Sequence, residues 1–277
     1  MKTLYIVATP IGNLEDITLR ALRVLKEADI IAAEDTRHTK KLLQRYGINT
    51  QLTSYYEHNE LEKAGWLISQ LNMGKDVALV SDAGTPGISD PGYRLVKMAI
   101  ESSIPVVSIP GASAIISALS VSGLPTDSFC FEGFIPSRQG ERKKFLFGLK
   151  ESKKTIVFYE SPKRLLAAVK DVHDILGDVD MVIAREMTKL HEEIITGKAS
   201  TILAGLSGRE IKGEITILLN PKSVEAKQDI SLIDEIKNLQ RETDLPLKEI
   251  ARIIAEKTGV PKREVYKEAL KLKEEKP

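Results

Sequence analysis

Cysteine is nearly absent. Cys130 is the single one in 277 residues, which excludes a disulfide framework and a zinc site built on paired thiolates. Four histidines, scattered along the chain, add no metal-ligand spacing, so no metal is expected. An excess of one charge is also missing, because 40 Lys and Arg balance 39 Asp and Glu. With 42% hydrophobic residues, that balance excludes a disordered chain, which needs low hydrophobicity and a large net charge. The 18 Gly and 12 Pro are too few for a collagenous or low-complexity protein. No apolar run approaches the roughly 18 residues of a membrane span. Ala112 to Leu124 comes nearest, but Ser113, Ser117, Ser120, Ser122 and Gly123 interrupt it. The run Leu4 to Ala8 is too short for a secretory signal and is broken by Pro10-Ile11-Gly12. A soluble cytoplasmic protein with about two domains at ~150 residues each is expected.

What the chain does contain is alternation. Short β-branched runs at Thr3 to Ala8, Asp29 to Ala33, Gln51 to Ser54, Lys75 to Val80 and Pro105 to Ile109 alternate with helical spacing at Thr18 to Ala28, Thr36 to Tyr46, Glu60 to Leu71 and Tyr93 to Glu101. This predicts a mostly parallel sheet covered by helices. After Pro125-Thr126-Asp127, strands are predicted at Ser128 to Glu132, Thr155 to Tyr159, Asp180 to Ala184, His191 to Gly197 and Glu214 to Leu219. Helices are predicted at Pro162 to Leu176 and Ser200 to Leu206, giving a mixed sheet. Residues 222–277 carry 13 basic and 12 acidic residues and read as helical. Ile230 to Arg241 is one helix, and Leu245 to Leu270 a helix-turn-helix turning at Gly259. The expected organisation is therefore 1–114, 115–221 and 222–277: two α/β domains and a helical extension. Leu247, Ile250, Ile253, Ile254, Val260, Val265 and Leu270 are the expected core of the extension. Tyr266 is placed either in that core or on a base, and Trp66 is expected to pack inward.

Three loops rich in small residues follow predicted strands: Ala8 to Thr18, Val80 to Gly92 and Ile109 to Ala114. Each alone is ordinary turn chemistry. Together, on one edge of a parallel sheet, they predict a ligand site outside the carboxyl ends of the strands. The first loop has only Gly12 where a dinucleotide fold needs G-x-G-x-x-G, and no P-loop is present. The acidic second loop suits a ligand with a positive centre and hydroxyls better than a polyphosphate.

Four segments, Val7–Asp16 (VATPIGNLED), Glu34–Arg37 (EDTR), Ser81–Gly92 (SDAGTPGISDPG) and Ala184–Glu193 (AREMTKLHEE), resemble the tetrapyrrole methylase family of S-adenosylmethionine-dependent methyltransferases. The resemblance spans essentially the whole chain and is greatest to the branch that methylates the RNA of the small ribosomal subunit. It implies two α/β domains with the cofactor folded in the cleft between them. It also implies a homodimer that methylates the ribose 2′-oxygen of cytidine 1402 in the decoding region of 16S rRNA. Cofactor contacts are implied for Pro10, Asp82, Ala83, Gly84, Ser113, Ala114, Tyr159 and Ala184.

Methyl transfer from a sulfonium to a hydroxyl is an in-line displacement that depends on positioning and is helped by a base near the hydroxyl proton. Lys189 is the first candidate, as base or as stabiliser of the 2′-oxygen, and Glu186 the second. Glu160, at a strand end, is either a functional carboxylate or part of a helix start. Asp35 is either functional or a helix cap. Arg37 and Arg185 are expected to touch RNA. Residues 137–154 hold seven basic residues against two acidic ones, so Arg138, Arg142 and Lys143 join them. Lys262 and Arg263 represent the extension, where residues 246–273 carry eight basic against four acidic. Two other readings stand beside this one. One is a methyltransferase of the same fold acting on a small molecule or protein. The other is a metabolite-sensing regulator whose helix-turn-helix reads nucleic acid.

Overall fold

The computed structural model describes residues 2–221, 232–243, 245–258 and 261–274. The chain forms two compact units, Met1–Lys222 and Ser223–Pro277, and the first holds two sheets. Strands β1 (Leu4–Val7), β2 (Ile30–Ala33), β3 (Gln51–Ser54), β4 (Val77–Val80) and β5 (Val106–Ile109) form the first, in the order β3-β2-β4-β1-β5. All its pairings are parallel. Because side chains alternate across a strand, each of the central strands serves two cores. Leu4, Ile6, Ile30, Ala32, Val77 and Leu79 pack on one face with Leu67, Leu71 and Leu95. Those last three lie on α3 (Glu60–Asn72) and α4 (Tyr93–Glu101). Val7, Ile31, Ala33, Ala78 and Val80 pack on the other with Ala21, Val24, Leu25, Leu42 and Leu43, from α1 (Leu19–Glu27) and α2 (Thr36–Arg45). Burial on both faces explains why these strands are continuous apolar runs.

The second sheet joins β6 (Phe129–Phe134), β7 (Thr155–Glu160), β8 (Asp180–Arg185), β9 (Glu193–Lys198) and β10 (Ile215–Asn220), in the order β6-β7-β10-β8-β9. Only β6 and β7 are parallel; the other pairs are antiparallel. One face carries Ile156, Phe158, Met181, Ile183, Ile217 and Leu219 against Leu146, Val169, Val172 and Ile202. These come from α6 (Gln139–Gly148), α7 (Leu165–Leu176) and α8 (Ala199–Leu206). The other face, with Val157, Val182, Ala184 and Leu218, meets Ile11 from the loop after β1 and Ile115, Ala118 and Leu119 of α5 (Ala114–Ser122). This last cluster joins the two sheets and forms the floor between them.

Some expectations change. Ala112 to Leu124, noted only as an interrupted apolar run, contains α5. Ser113 caps its start by accepting from the Ile116 N–H at 3.5 Å, and Gly123 ends it with φ 69°. The helix expected from Pro162 begins at Leu165, after a turn in which Arg164 N–H donates to the Ser161 carbonyl at 3.0 Å. Trp66 does not pack inward; it is 37% exposed, with the Lys63 ammonium 4.1 Å from its ring centre.

The second unit contains α9 (Leu232–Glu242), α10 (Leu247–Thr258) and α11 (Lys262–Glu274). Its core is Ile236, Ile250, Ala251, Ile254, Val265 and Ala269, with Leu247 and Tyr266 packed against it. Tyr266 is thus a packing residue, while Leu270, 38% exposed, lies outside that core. Gly259 and Val260 lie outside the described residues.

Candidate active site

The order of the first sheet makes its site. The chain leaves β1 toward β2 on one side and leaves β4 toward β5 on the other, so the loops after β1 and β4 part at the sheet's switch point. Thr9 and Gly84 tie them together by exchanging backbone hydrogen bonds of 2.8 and 3.0 Å. The Thr9 hydroxyl also donates to the Ser81 carbonyl at 3.1 Å. Above this tie, a cavity of about 590 Å³ opens between the sheets. Its first-sheet wall is Ile11, Ala83, Gly84, Ile88, Asp90, Ser113 and Ala114. Phe131, Phe134, Tyr159, Glu160, Glu214 and Thr216 form the other wall.

Five of the eight expected cofactor residues line this cavity together: Ala83, Gly84, Ser113, Ala114 and Tyr159. Three do not. Pro10 and Asp82 border a separate, small recess with Thr9 and His38. The Asp82 carboxylate accepts from the Asp35 N–H at 3.0 Å, and its own N–H donates to Glu34 at 3.3 Å. Asp82 therefore ties the β4 loop to the end of β2. Ala184 is buried beneath the cavity, facing the same core as Val157 and Leu218.

The expected catalytic pair lies in the turn between β8 and β9. Glu186 and Thr188 both hold positive φ, 50° and 66°, which costs of order 1 kcal/mol each for non-glycine residues. The turn is held by hydrogen bonds from Thr188 N–H to Glu192 (2.5 Å), Lys189 N–H to the Glu186 carbonyl (3.0 Å) and Asn13 N–H to the Thr188 hydroxyl (3.0 Å). The Lys189 ammonium donates to Glu186 at 2.9 Å and to Glu214 at 3.0 Å. Partial burial opposes its charge, but these two carboxylates outweigh it and raise the Lys189 pKa. The two carboxylates thus favour the ammonium form of Lys189. It borders a second opening of about 630 Å³ with Gly12, Asn13, Arg45, Tyr46 and Leu190, outside the cavity. Burial likewise opposes the Glu186 charge, but the Glu214 N–H and the Lys189 ammonium outweigh it and lower that pKa.

The expected RNA contacts divide by exposure. Arg37 is 88% exposed, its guanidinium 2.7 Å from Asp35. Asp35 also accepts from the Arg37 N–H and so caps α2, and the Arg37 side chain and N–H hold its carboxyl far below the usual range. Arg138 is exposed at the start of α6, and Lys143 is half-exposed. Lys262 and Arg263 are exposed at the start of α11. Arg142 departs from expectation. Its guanidinium is buried and pairs with the buried Asp171 at 2.6 Å, and it also donates to the Ser137 carbonyl at 3.2 Å. It is a core ion pair, not a surface cation. Arg185 is also largely buried, bonded to Glu193 and to the Lys212 carbonyl, both at 3.1 Å.

The cavity holds groups that sequence reasoning passed over. Asp90 stands near the far end of the loop Ser81–Gly92. Its carboxyl is raised to about 6 by burial first, then by Glu34 and Asp82, against a hydrogen bond from Ser81. Burial also pushes the Tyr159 phenol up to about 12, aided by the charges of Asp90 and Glu214. Glu160 accepts from the Ser161 N–H at 2.5 Å and pairs with Arg164 at 2.7 Å, while its second oxygen is buried without a partner. No Lys, Arg or His lines this cavity among the described residues. Aromatic and apolar walls with carboxylates fit a ligand that combines a flat base with positive charge, and they repel a polyphosphate.

Residues 3–203 match the sequence model of the Tetrapyrrole (Corrin/Porphyrin) Methylases. Two solved structures share the fold at low identity. Cobalt precorrin-4 methyltransferase, a cobalamin biosynthetic enzyme, has a TM-score of 0.60 at 18% identity over 79% of this chain and 95% of its own. Uroporphyrin-III-C-methyltransferase from Thermus thermophilus has a TM-score of 0.56 at 19% identity over 82% and 98%. Fold and family model define the class, a methyltransferase of the tetrapyrrole methylase type. Residues 237–273 match a second model, the RsmI C-terminal HTH domain. Curated relatives named ribosomal RNA small subunit methyltransferase I come from Halalkalibacterium halodurans and Thermotoga maritima. The first is 52% identical over 78% of this chain and 75% of its own length, the second 49% over 80% and 100%. The chain belongs to the tetrapyrrole methylases and, within them, to the ribosomal RNA small subunit methyltransferase I family.

Proposed function

We propose that this chain transfers a methyl group from S-adenosyl-L-methionine to the ribose 2′-oxygen of cytidine 1402 in the decoding region of 16S rRNA. The carrying observation is the cation-free, aromatic and acidic cavity at the switch point of the first sheet. The names of the curated relatives support ribosomal RNA as the acceptor. In this reading Ala83, Gly84, Ser113 and Ala114 hold the cofactor through close backbone approach, and Tyr159 with Phe131 and Phe134 takes the adenine. The cofactor, when bound, supplies an electrophilic methyl on a cationic sulfur. Desolvation by the apolar walls strengthens each polar contact inside. Lys189 remains charged and stabilises negative charge near the opening it borders, and its ties to Glu186 and Glu214 fix that turn. Arg37, Arg138, Lys143, Lys262 and Arg263 are the exposed cations available to phosphates. The working form is a cytoplasmic homodimer, and its substrate is 16S rRNA or the small ribosomal subunit.

Purified protein incubated with methyl-labelled S-adenosylmethionine and immature small subunits is expected to label a cytidine ribose. Cofactor binding without label in RNA would refute the reading. Label in a tetrapyrrole or a protein would move the chain to another substrate class.

A further inference from the structure

The second opening, of about 630 Å³, adjoins the cavity, and the two share a wall. Ile11 borders the cavity, and the next residue, Gly12, borders the opening. Glu214 lines the cavity, and its carboxylate accepts at 3.0 Å from the Lys189 ammonium, which borders the opening. A polymer lying in the opening is therefore separated from the cavity by the loop after β1 and this ion pair.

Leu190 stands at the rim of the opening, 94% exposed. A single exposed leucine is ordinary; this one differs in how firmly it is held. Its turn is closed by the Glu192 N–H, which donates to the Lys189 carbonyl at 3.1 Å. The segment leading into that turn, Glu186 to Thr188, is hydrogen-bonded to Asn13, Glu192 and Glu214. It also lies so close to Gly12 that a Cβ there would overlap it. Folding gains little from a leucine left in water, so what this fixed side chain meets has to come from outside. Leu14 apart, the opening is lined by Asn13, Glu15, Arg45, Tyr46, Thr188 and Lys189. This is not the contiguous apolar patch that a protein partner buries. Arg45, at the end of α2, is exposed at the same border. An apolar side chain displayed beside a free-standing cation suits a nucleobase, whose face is apolar and whose flanking phosphates are anionic.

We infer that Leu190 is a wedge for the RNA strand. It packs on the base next to the target nucleotide and fills the space that the target leaves when its ribose turns toward the cavity. Arg45 meets the adjoining phosphate. This inference rests on the proposed methyl transfer to RNA. Apolar side chains inserted between bases hold nucleic acids unstacked, and an enzyme that brings one nucleotide into an enclosed site takes it out of the stack. Leu190 is thus a substrate-positioning residue: it favours the presented nucleotide and leaves cofactor binding alone.

The test uses the full chain as wild type, Leu190→Ala, Leu190→Met and the photoreactive Leu190→p-benzoylphenylalanine. Single-turnover labelling of immature small subunits is measured below saturation, and S-adenosylhomocysteine affinity by calorimetry. Leu190→Ala is expected to slow labelling about 10–100-fold, the worth of burying one leucine, with S-adenosylhomocysteine affinity and urea midpoint unchanged. Leu190→Met is expected to keep most of the rate. Irradiated on small subunits with S-adenosylhomocysteine, the photoreactive variant is expected to crosslink beside the labelled nucleotide, read as a reverse-transcription stop. Leu190→Ala labelling at the wild-type rate would overturn the inference alone. So would loss of S-adenosylhomocysteine affinity in that variant, because Leu190 would then support the cofactor site. A crosslink elsewhere in the RNA, or to a second copy of the chain, does the same. If the photoreactive variant does not bind subunits, the Leu190→Ala rate decides by itself. Wild-type protein that binds the cofactor but labels no RNA overturns the proposed function and the inference with it.

Discussion

Gly12 shows how much one missing Cβ decides. A Cβ there would overlap the Lys189 side chain and approach the Thr188 hydroxyl to 2.7 Å and the Met187 carbonyl to 2.9 Å. The Lys189 stem can swing aside, but the carbonyl belongs to the backbone of a turn already held at positive φ. Gly12→Ala is therefore expected to destabilise the protein by about 1–3 kcal/mol, as overpacking does. Urea unfolding reads this, and an unchanged midpoint would show that the turn yields freely. Asp90 gives a prediction with a pH sign. Its folded pKa of about 6 lies above the ordinary 3.8, so its contribution favours folding below about 3.8 and is lost as pH rises through about 6. Asp90→Asn should then melt higher than wild type at pH 8 and at the same temperature at pH 4. Equal shifts at both pH values would mean that burial of the charged carboxyl, with Glu34 and Asp82 beside it, is not the cause. Gly12 does not reveal its role along the chain, because the atoms that press on it belong to Met187, Thr188 and Lys189, and Asp90 is raised in part by Glu34 from another strand end.

Among the elements, the strands of the first sheet were legible because both faces are buried and their apolar runs are continuous. Helices α5 and α6 were not. The apolar residues of α5 lie on both sides, with Ile116 and Val121 exposed while Ile115 and Leu119 are buried, so its periodicity is weak. Helix α6 carries Gly140, Gly148 and a cluster of cations that reads as a solvated surface. Its true anchor is the Arg142–Asp171 pair joining α6 to α7, with both side chains buried. Removing one partner leaves an uncompensated charge, so Arg142→Ala is expected to cost about 3–5 kcal/mol. Arg138→Ala, on the exposed side of the same helix start, should change stability within about 0.5 kcal/mol. Denaturant titrations of the two variants compare them directly. A small effect at Arg142 would mean water reaches Asp171.

For the whole molecule, the extension is the open quantity. The Thermotoga maritima relative is matched along its full length by 222 residues, 80% of this chain, so the family includes a chain without a counterpart to every segment present here. Met1–Lys222 is a compact unit and contains the entire cavity. Deleting residues 222–277 is therefore expected to leave S-adenosylhomocysteine affinity unchanged and to weaken RNA binding, with a smaller dependence of affinity on salt. Binding titrations at two salt concentrations test this. If RNA affinity and its salt slope both survive, the extension is not an RNA arm.

The sequence by itself determined the alternation of strands and helices, the three ligand loops and the family, because backbone periodicity and turn chemistry are local. Only the tertiary structure decided that Arg142 turns inward, that Asp82 ties loops while Asp90 lines the cavity, and that Lys189 meets Glu186 and Glu214. Those outcomes depend on burial and on charges from distant segments. They arise only when segments distant along the chain pack together and remove these groups from water.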